Sequence, residues 1–271
     1  MPELPEVEIT LRGILPSIQN QIIQTFLIRR PNLRWPIPSK DIQRLVGFAI
    51  THVMRRGKYL LLSTTRGHIL IHLGMSGRLR ILGKWVAPDK HDHVDLVFNN
   101  GTLLRFTDPR RFGAFLYTED DPKQHPLLKN LGVEPLSRQF SPLYLKQQLA
   151  NKQLPIKSAI MDQRIVVGVG NIYATEALFK AGISPLRPAK TLLLNDLKQL
   201  VSAIKVILRC AIAHGGSSLK DFLNSEGKPG YFTQQLNVYG RAGLPCVECQ
   251  STLQQLRIGQ RSSVYCQQCQ R

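Results

Sequence analysis

The sequence predicts an α+β protein of two domains: a β-rich first half behind a leading helix, then a helical second half ending in a small cysteine module. Three observations carry this. Short runs rich in β-branched and aromatic residues fill positions 22 to 118. Apolar residues at helical spacing follow from position 156. Four of the five cysteines fall within the last twenty-six residues.

The chain opens on MPELPEVE. Val7, Leu11, Ile14 and Leu15 share one face of a helix predicted over Pro5 to Leu15, with Pro5 where a first-turn proline is tolerated. YLLLSTT, HILIHLG, VDLVFNN and TLLRFTD then read as strands, and Asn99-Asn100-Gly101 as a tight turn between two of them. The pattern fits a β-sandwich or a barrel. Prolines and polar residues over 121 to 155 suggest a linker zone with one short helix, Pro142 to Ala150. Helices are expected at Ile156 to Met161, at Ile172 to Ala181 with Asn171 as cap, and at Leu192 to Ala213, closed by Gly215-Gly216. SSLKDFLNSEGKPGYF reads as a glycine-rich loop. Cys210 stands alone in an apolar helical stretch and reads as a buried small hydrophobe.

Lysine and arginine number 36 against 18 acids, a net charge of +18 spread through the chain. Such a surplus points to a polyanionic partner, because basic side chains release counterions when they meet phosphates. No apolar run reaches the roughly 18 residues of a membrane helix, and the N-terminus lacks the pattern of a secretory signal. The expected location is the cytoplasm.

The sharpest local pattern is Cys246-x2-Cys249 followed, after sixteen intervening residues, by Cys266-x2-Cys269. Two such knuckles can converge four thiolates on one tetrahedral zinc with no open position, so the metal would be structural. A pair of disulfides is disfavoured in a cytosolic chain. VGVGNIY contains G-x-G without a third glycine or a βαβ context, so a dinucleotide site is not expected there. It reads instead as a tight turn between helices, whose following N-terminus could receive a phosphate. FTDPRRFG places two arginines and a phenylalanine at a strand end, where arginine can meet a base edge and phenylalanine can wedge between bases.

The first residues carry chemistry of their own. Removal of Met1, expected before a proline, would leave Pro2 with a free secondary amine. An α-amino group titrates near 7.7–8.0, against about 10.4 for lysine, so more of it is neutral and nucleophilic at physiological pH. Attack on a sugar carbon would give an iminium, with Glu3 and Glu6 near enough to move protons. On these eight residues alone, a proline-led helix start with acids matched to the dipole is the stronger reading.

Taken in order, MPELPEVE, RRGKYLLL, HLGMSGRLR, HDHVDL, TDPRRFGAF, IMDQ, VGVGNIYA, DFLNSEGKPGYF and the two knuckles resemble the formamidopyrimidine-DNA glycosylase family of bacterial base-excision repair, over nearly the whole chain. The resemblance implies an N-terminal β-sandwich with its leading helix (2–130), a linker (131–154), a helix–two-turns–helix domain with a lesion-capping loop (155–235) and a zinc finger (236–271). It implies a glycosylase and lyase acting on oxidised purines in double-stranded DNA, with one structural Zn²⁺ and no small-molecule cofactor. The expected form is a monomer among bacterial nucleoid DNA. By the same resemblance Pro2 is the nucleophile, Glu3 the acid at the sugar and Glu6 a support for the active-site hydrogen bonds. Lys58, His72, Asn171, Tyr239 and Arg261 match phosphate-contacting positions, with Lys58 also at the catalytic centre. Lys157 matches a lysine associated with the oxidised purine. Met75, Arg110 and Phe112 match residues that fill the gap left by a flipped nucleotide, Arg110 facing the estranged cytosine. Two alternatives stay open: an endonuclease VIII-like enzyme for oxidised pyrimidines, and a non-catalytic zinc-ribbon DNA-binding protein.

Overall fold

The computed structural model describes residues 2–217 and 232–271. The lesion-loop reading therefore lies outside the described residues, apart from Ser217 and Phe232. The chain divides into two compact units, one of residues 1–129 with 214–231, the other of residues 130–213 with 232–271.

The first unit is built on helix α1 (Leu4–Ile18), the one-turn helix α2 (Ser39–Ile42) and eight strands. α1 runs three residues past the expected Leu15, with Pro16 inside its last turn. A proline there removes one backbone donor close to the end, where the ladder is about to stop. The strands are β1 (Ile23–Ile28), β2 (His52–Arg56), β3 (Tyr59–Ser63), β4 (His68–His72), β5 (Arg78–Leu82), β6 (Asp92–Phe98), β7 (Leu103–Thr107) and β8 (Ala114–Thr118). They form two antiparallel four-stranded sheets, ordered β1-β6-β7-β5 and β2-β3-β4-β8. Two separate sheets decide for the sandwich over the barrel.

One core joins Val7, Ile14 and Ile18 of α1 to Leu60 and Leu62 of β3, Ile69 and Ile71 of β4, and Leu96 of β6 and Phe106 of β7 in the first sheet. Leu61 and Leu70 pair across β3 and β4 on the opposite face and are buried as well. Burial on both faces is why YLLL reads as an unbroken apolar run rather than an alternating one. The Asn99-Asn100-Gly101 turn joins β6 to β7, with Gly101 at φ +82°, a conformation glycine adopts without steric cost.

The first sheet also holds charges that strand periodicity does not announce. Arg105 on β7, 1% exposed, donates to both carboxylate oxygens of Asp95 at 2.8 Å and to Asp92 at 3.3 Å. Arg29 pairs with Asp95, and Arg80 with Asp92. Burial alone would raise the Asp95 carboxyl, but the hydrogen bonds from Arg105 and Arg29 outweigh it and hold the group below the aspartate range. Arg105 also donates to the carbonyls of Val86 and Ala87, pinning the β5–β6 connection.

The second unit packs α3 (Pro142–Leu149), α4 (Ile156–Met161), α5 (Asn171–Lys180) and α6 (Leu194–Ala213) around Ile160, Leu178, Leu200 and Ile204. Residues 131–154, read as a linker, supply Phe140, Leu145 and Leu149 to that core. α6 starts two residues later than expected, where the Asp196 carboxylate accepts from the Leu193 N–H at 2.9 Å. Cys210 is a correction: it is half-buried rather than buried, and its thiol donates to Gln235 Oε1 at 3.3 Å. The finger hairpin, β9 (Gln254–Ile258) and β10 (Arg261–Tyr265), belongs to the same unit. Gln270 Nε2 donates to the Ile183 carbonyl and the Arg271 N–H to the Gly182 carbonyl, tying the chain's end to the loop after α5.

Candidate active site and nucleic-acid interface

Glu3 is the N-cap of α1, and its N–H donates to Glu6 Oε2 at 2.8 Å. Glu6 Oε1 accepts from both the N–H and the hydroxyl of Ser217, at 2.8 and 2.9 Å. Pro2, Glu3 and Glu6 are all buried, Glu6 with 1% of its surface exposed. The helix start therefore fixes two carboxylates next to the proline.

Lys58 follows Gly57 in the turn between β2 and β3, where Gly57 sits at φ +57°. Glu8 on α1 steadies that hairpin by bonding Arg55 at 2.9 Å, and Arg55 in turn donates to the Gly57 carbonyl. Lys58 is only 7% exposed and acts electrostatically on His72, which stands at the end of β4. Burial, then the charges of Lys58 and Arg34, push the His72 pKa down to about 4. The ring is neutral at physiological pH. The Gly74 N–H donates to its Nδ1 at 3.0 Å, so the proton sits on Nε2, which is left as a hydrogen-bond donor.

His72, Arg34, Met75, Arg110 and Phe112 line one cleft of about 710 Å³. Phe112 is 46% exposed, with the Arg110 guanidinium 5.2 Å from its ring centre. The two turns meet backbone to backbone: a Cβ on Gly74 would come 2.4 Å from the Phe112 carbonyl carbon. Arg34 was not anticipated. It lies in an irregular segment between β1 and α2, where sequence period carries no signal.

In the second unit Gly170, not Asn171, is the N-cap of α5. Asn171 is the first helical residue, and its Nδ2 donates to the Ser262 carbonyl at 3.1 Å, so the expected side-chain cap is corrected. Lys157 is 1% exposed, and its ammonium bonds the same Ser262 carbonyl at 3.2 Å and Ser263 Oγ at 2.6 Å. The hairpin turn Gly259-Gln260 has both residues at positive φ, the geometry of a two-residue turn, and delivers the exposed Arg261 to the start of β10. Glu176 on α5, also unanticipated, accepts from the N–H groups of Asn237, Val238 and Tyr239 at 2.8–3.0 Å and so sets the backbone of Tyr239.

The four cysteine sulfurs lie within 4.8 Å of one another, with Cys246 to Cys269 at 3.9 Å and Cys249 to Cys266 at 3.4 Å. A tetrahedral zinc with bonds of about 2.3 Å separates its sulfurs by about 3.8 Å. The residues fit the ion. Four thiolates leave no open position, so this is one structural zinc.

A two-sheet sandwich with a proline-led helix, joined in one chain to a helical unit bearing a four-cysteine finger, defines a class of zinc-finger DNA-repair enzymes. Residues 1–115 match the formamidopyrimidine-DNA glycosylase N-terminal domain, 131–223 its H2TH domain, and 243–271 the zinc finger found in FPG and IleRS. The chain belongs to the formamidopyrimidine-DNA glycosylase family and is accordingly a DNA glycosylase with abasic-site lyase activity. It is 53% identical to the formamidopyrimidine-DNA glycosylase of Photobacterium damsela subsp. piscicida over 270 residues, covering 100% of both. The crystal structure of the MutM (Fpg) protein from Thermus thermophilus is similar, with a TM-score of 0.88 at 37% identity, over 99% of this chain and 98% of that one. A Lactococcus lactis Fpg variant bound to Fapy-dG-containing DNA matches with a TM-score of 0.91 at 30% identity, over 100% of both chains.

Proposed function

We propose that this protein removes oxidised purines, 8-oxoguanine and formamidopyrimidines, from double-stranded DNA and cuts the resulting abasic strand by β- and δ-elimination. The observation that carries the reading is the start of α1, where Pro2 is buried beside Glu3 and a Glu6 tied to Ser217. The amine lone pair of Pro2 forms a bond to C1′ as the bond from C1′ to the damaged base breaks; the base leaves with that electron pair and takes up the proton that the amine gives up. Glu3 supplies the proton that lets the sugar ring open, leaving an iminium between Pro2 and C1′. Loss of a C2′ proton then expels the 3′ phosphate, and a second elimination expels the 5′ phosphate. Water finally releases the sugar fragment and restores the amine.

Lys58, neutral His72, Asn171, Tyr239 and Arg261 grip phosphates, while Met75, Arg110 and Phe112 occupy the space a flipped nucleotide vacates. Lys157 serves the same grip through the Ser262 carbonyl it shares with Asn171. Borohydride trapping on 8-oxoguanine duplex tests the reading, with intact mass confirming loss of Met1. A covalent adduct is expected, and it should vanish in Pro2→Gly. An adduct undiminished by that change sinks the assignment of Pro2, and faster excision of thymine glycol than of 8-oxoguanine sinks the assignment of substrate.

A further inference from the structure

The turn carrying Met75 and the turn carrying Arg110 and Phe112 are thirty-odd residues apart in sequence, yet one pair of small polar side chains joins them. The Ser76 hydroxyl donates to Asp108 Oδ1 at 2.7 Å and accepts the Arg110 N–H at 3.1 Å. The other carboxylate oxygen of Asp108 accepts the Gly113 N–H at 2.8 Å. Its backbone carbonyl accepts from His93 Nε2 at 2.8 Å, and its N–H donates to the His91 carbonyl. Asp108 has no exposed surface and Ser76 is 7% exposed. Among the described residues no cation pairs with Asp108 within salt-bridge distance, and both of its side-chain oxygens bond to these two turns.

A buried carboxylate without an ion-pair partner is costly to keep, and a stability role would be met as well by apolar packing. What the bridge adds is geometry. It fixes both ends of the Arg110–Phe112 segment, through the Arg110 and Gly113 N–H groups, and locks that segment to the residue directly after Met75. Phe112 and Arg110 meanwhile stay largely exposed at the cleft. Exposed side chains on an over-determined backbone are the arrangement a wedge needs, because it must enter a base stack without first being ordered.

We propose that Ser76 and Asp108 are positioning residues that hold Met75, Arg110 and Phe112 as one pre-formed wedge before DNA arrives. This rests on the glycosylase reading above and deepens it. The test compares two reactions of the full-length, zinc-loaded protein and its Ser76→Ala and Asp108→Asn variants under single turnover. One is excision of 8-oxoguanine opposite cytosine; the other is cleavage of a preformed abasic site, where no base has to be unstacked. Either variant is expected to slow excision about tenfold, the scale of losing one buried hydrogen bond to a charged group, with abasic-site cleavage within about twofold of wild type. The double variant should be no slower than the worse single one, because one bridge is broken in each case. Equal slowing of both reactions would reduce the pair to a structural role, and undiminished excision would remove the role altogether. Failure of the wild-type protein on both substrates would instead overturn the glycosylase reading.

Discussion

At the scale of single residues, protonation state rather than charge defines His72. Its folded pKa of about 4 lies below the free value of 6.5, so the fold favours the neutral ring. That contribution is complete above the free value and is lost as pH falls through the interval toward 4. The thermal midpoint of His72→Gln should therefore lie furthest below wild type near neutral pH, and the gap should close between pH 6.5 and 4. A gap constant across that range contradicts a buried neutral ring. The same variant should weaken duplex binding at pH 7.5 without changing its salt slope, because a neutral donor releases no counterion. Arg261→Gln, by contrast, should lower the slope by about one unit.

Elements are held by pairs that link one strand or helix to another. Arg105 is bonded to Asp92 and Asp95 across the ladder from β7 to β6, and to the β5–β6 connection through Val86 and Ala87. Arg105→Ala takes the shared, buried partner from Asp95 and Asp92, leaving them only the part-exposed Arg29 and Arg80, and should cost about 3 kcal/mol in denaturant unfolding. Loss of under about 1 kcal/mol would mean that water reaches the pair. Because the network lies in the sheet that carries β7 into the Asp108 turn, moderate destabilisation there should slow excision before it abolishes folding. In the second unit Glu176 does comparable work, one carboxylate fixing three consecutive N–H groups ahead of the finger.

For the molecule as a whole, the net charge of +18 and the zinc finger bear on binding rather than on bond making. Chelation removes the four-thiolate anchor, and the hairpin bearing Arg261 loses its support. Duplex affinity should fall at least tenfold, while the single-turnover rate at saturating DNA changes little. A rate that collapses at saturation would place zinc in the chemistry. No helix among the described residues is long and apolar enough to cross a membrane.

Local chemistry was legible wherever it rests on neighbours in sequence. The cysteine spacing specified the zinc site, Asn99-Asn100-Gly101 specified a turn, and the proline and glutamates of MPELPEVE specified a capped helix start, since each is complete within a few residues. The sequence by itself thus determined the α+β class and the metal site, and its family resemblance put forward Pro2, Glu3 and Glu6 for catalysis. Strand patterning alone left sandwich and barrel open and the two sheets chose between them, while packing decided the half-exposure of Cys210. Tertiary structure alone decided the contact of Lys157 with Ser262 and the bridge from Ser76 to Asp108, whose partners lie 105 and 32 residues apart. The physical reason is range: periodicity and propensity report on residues within a turn or a strand, whereas a buried polar group's partner is set by how distant segments pack.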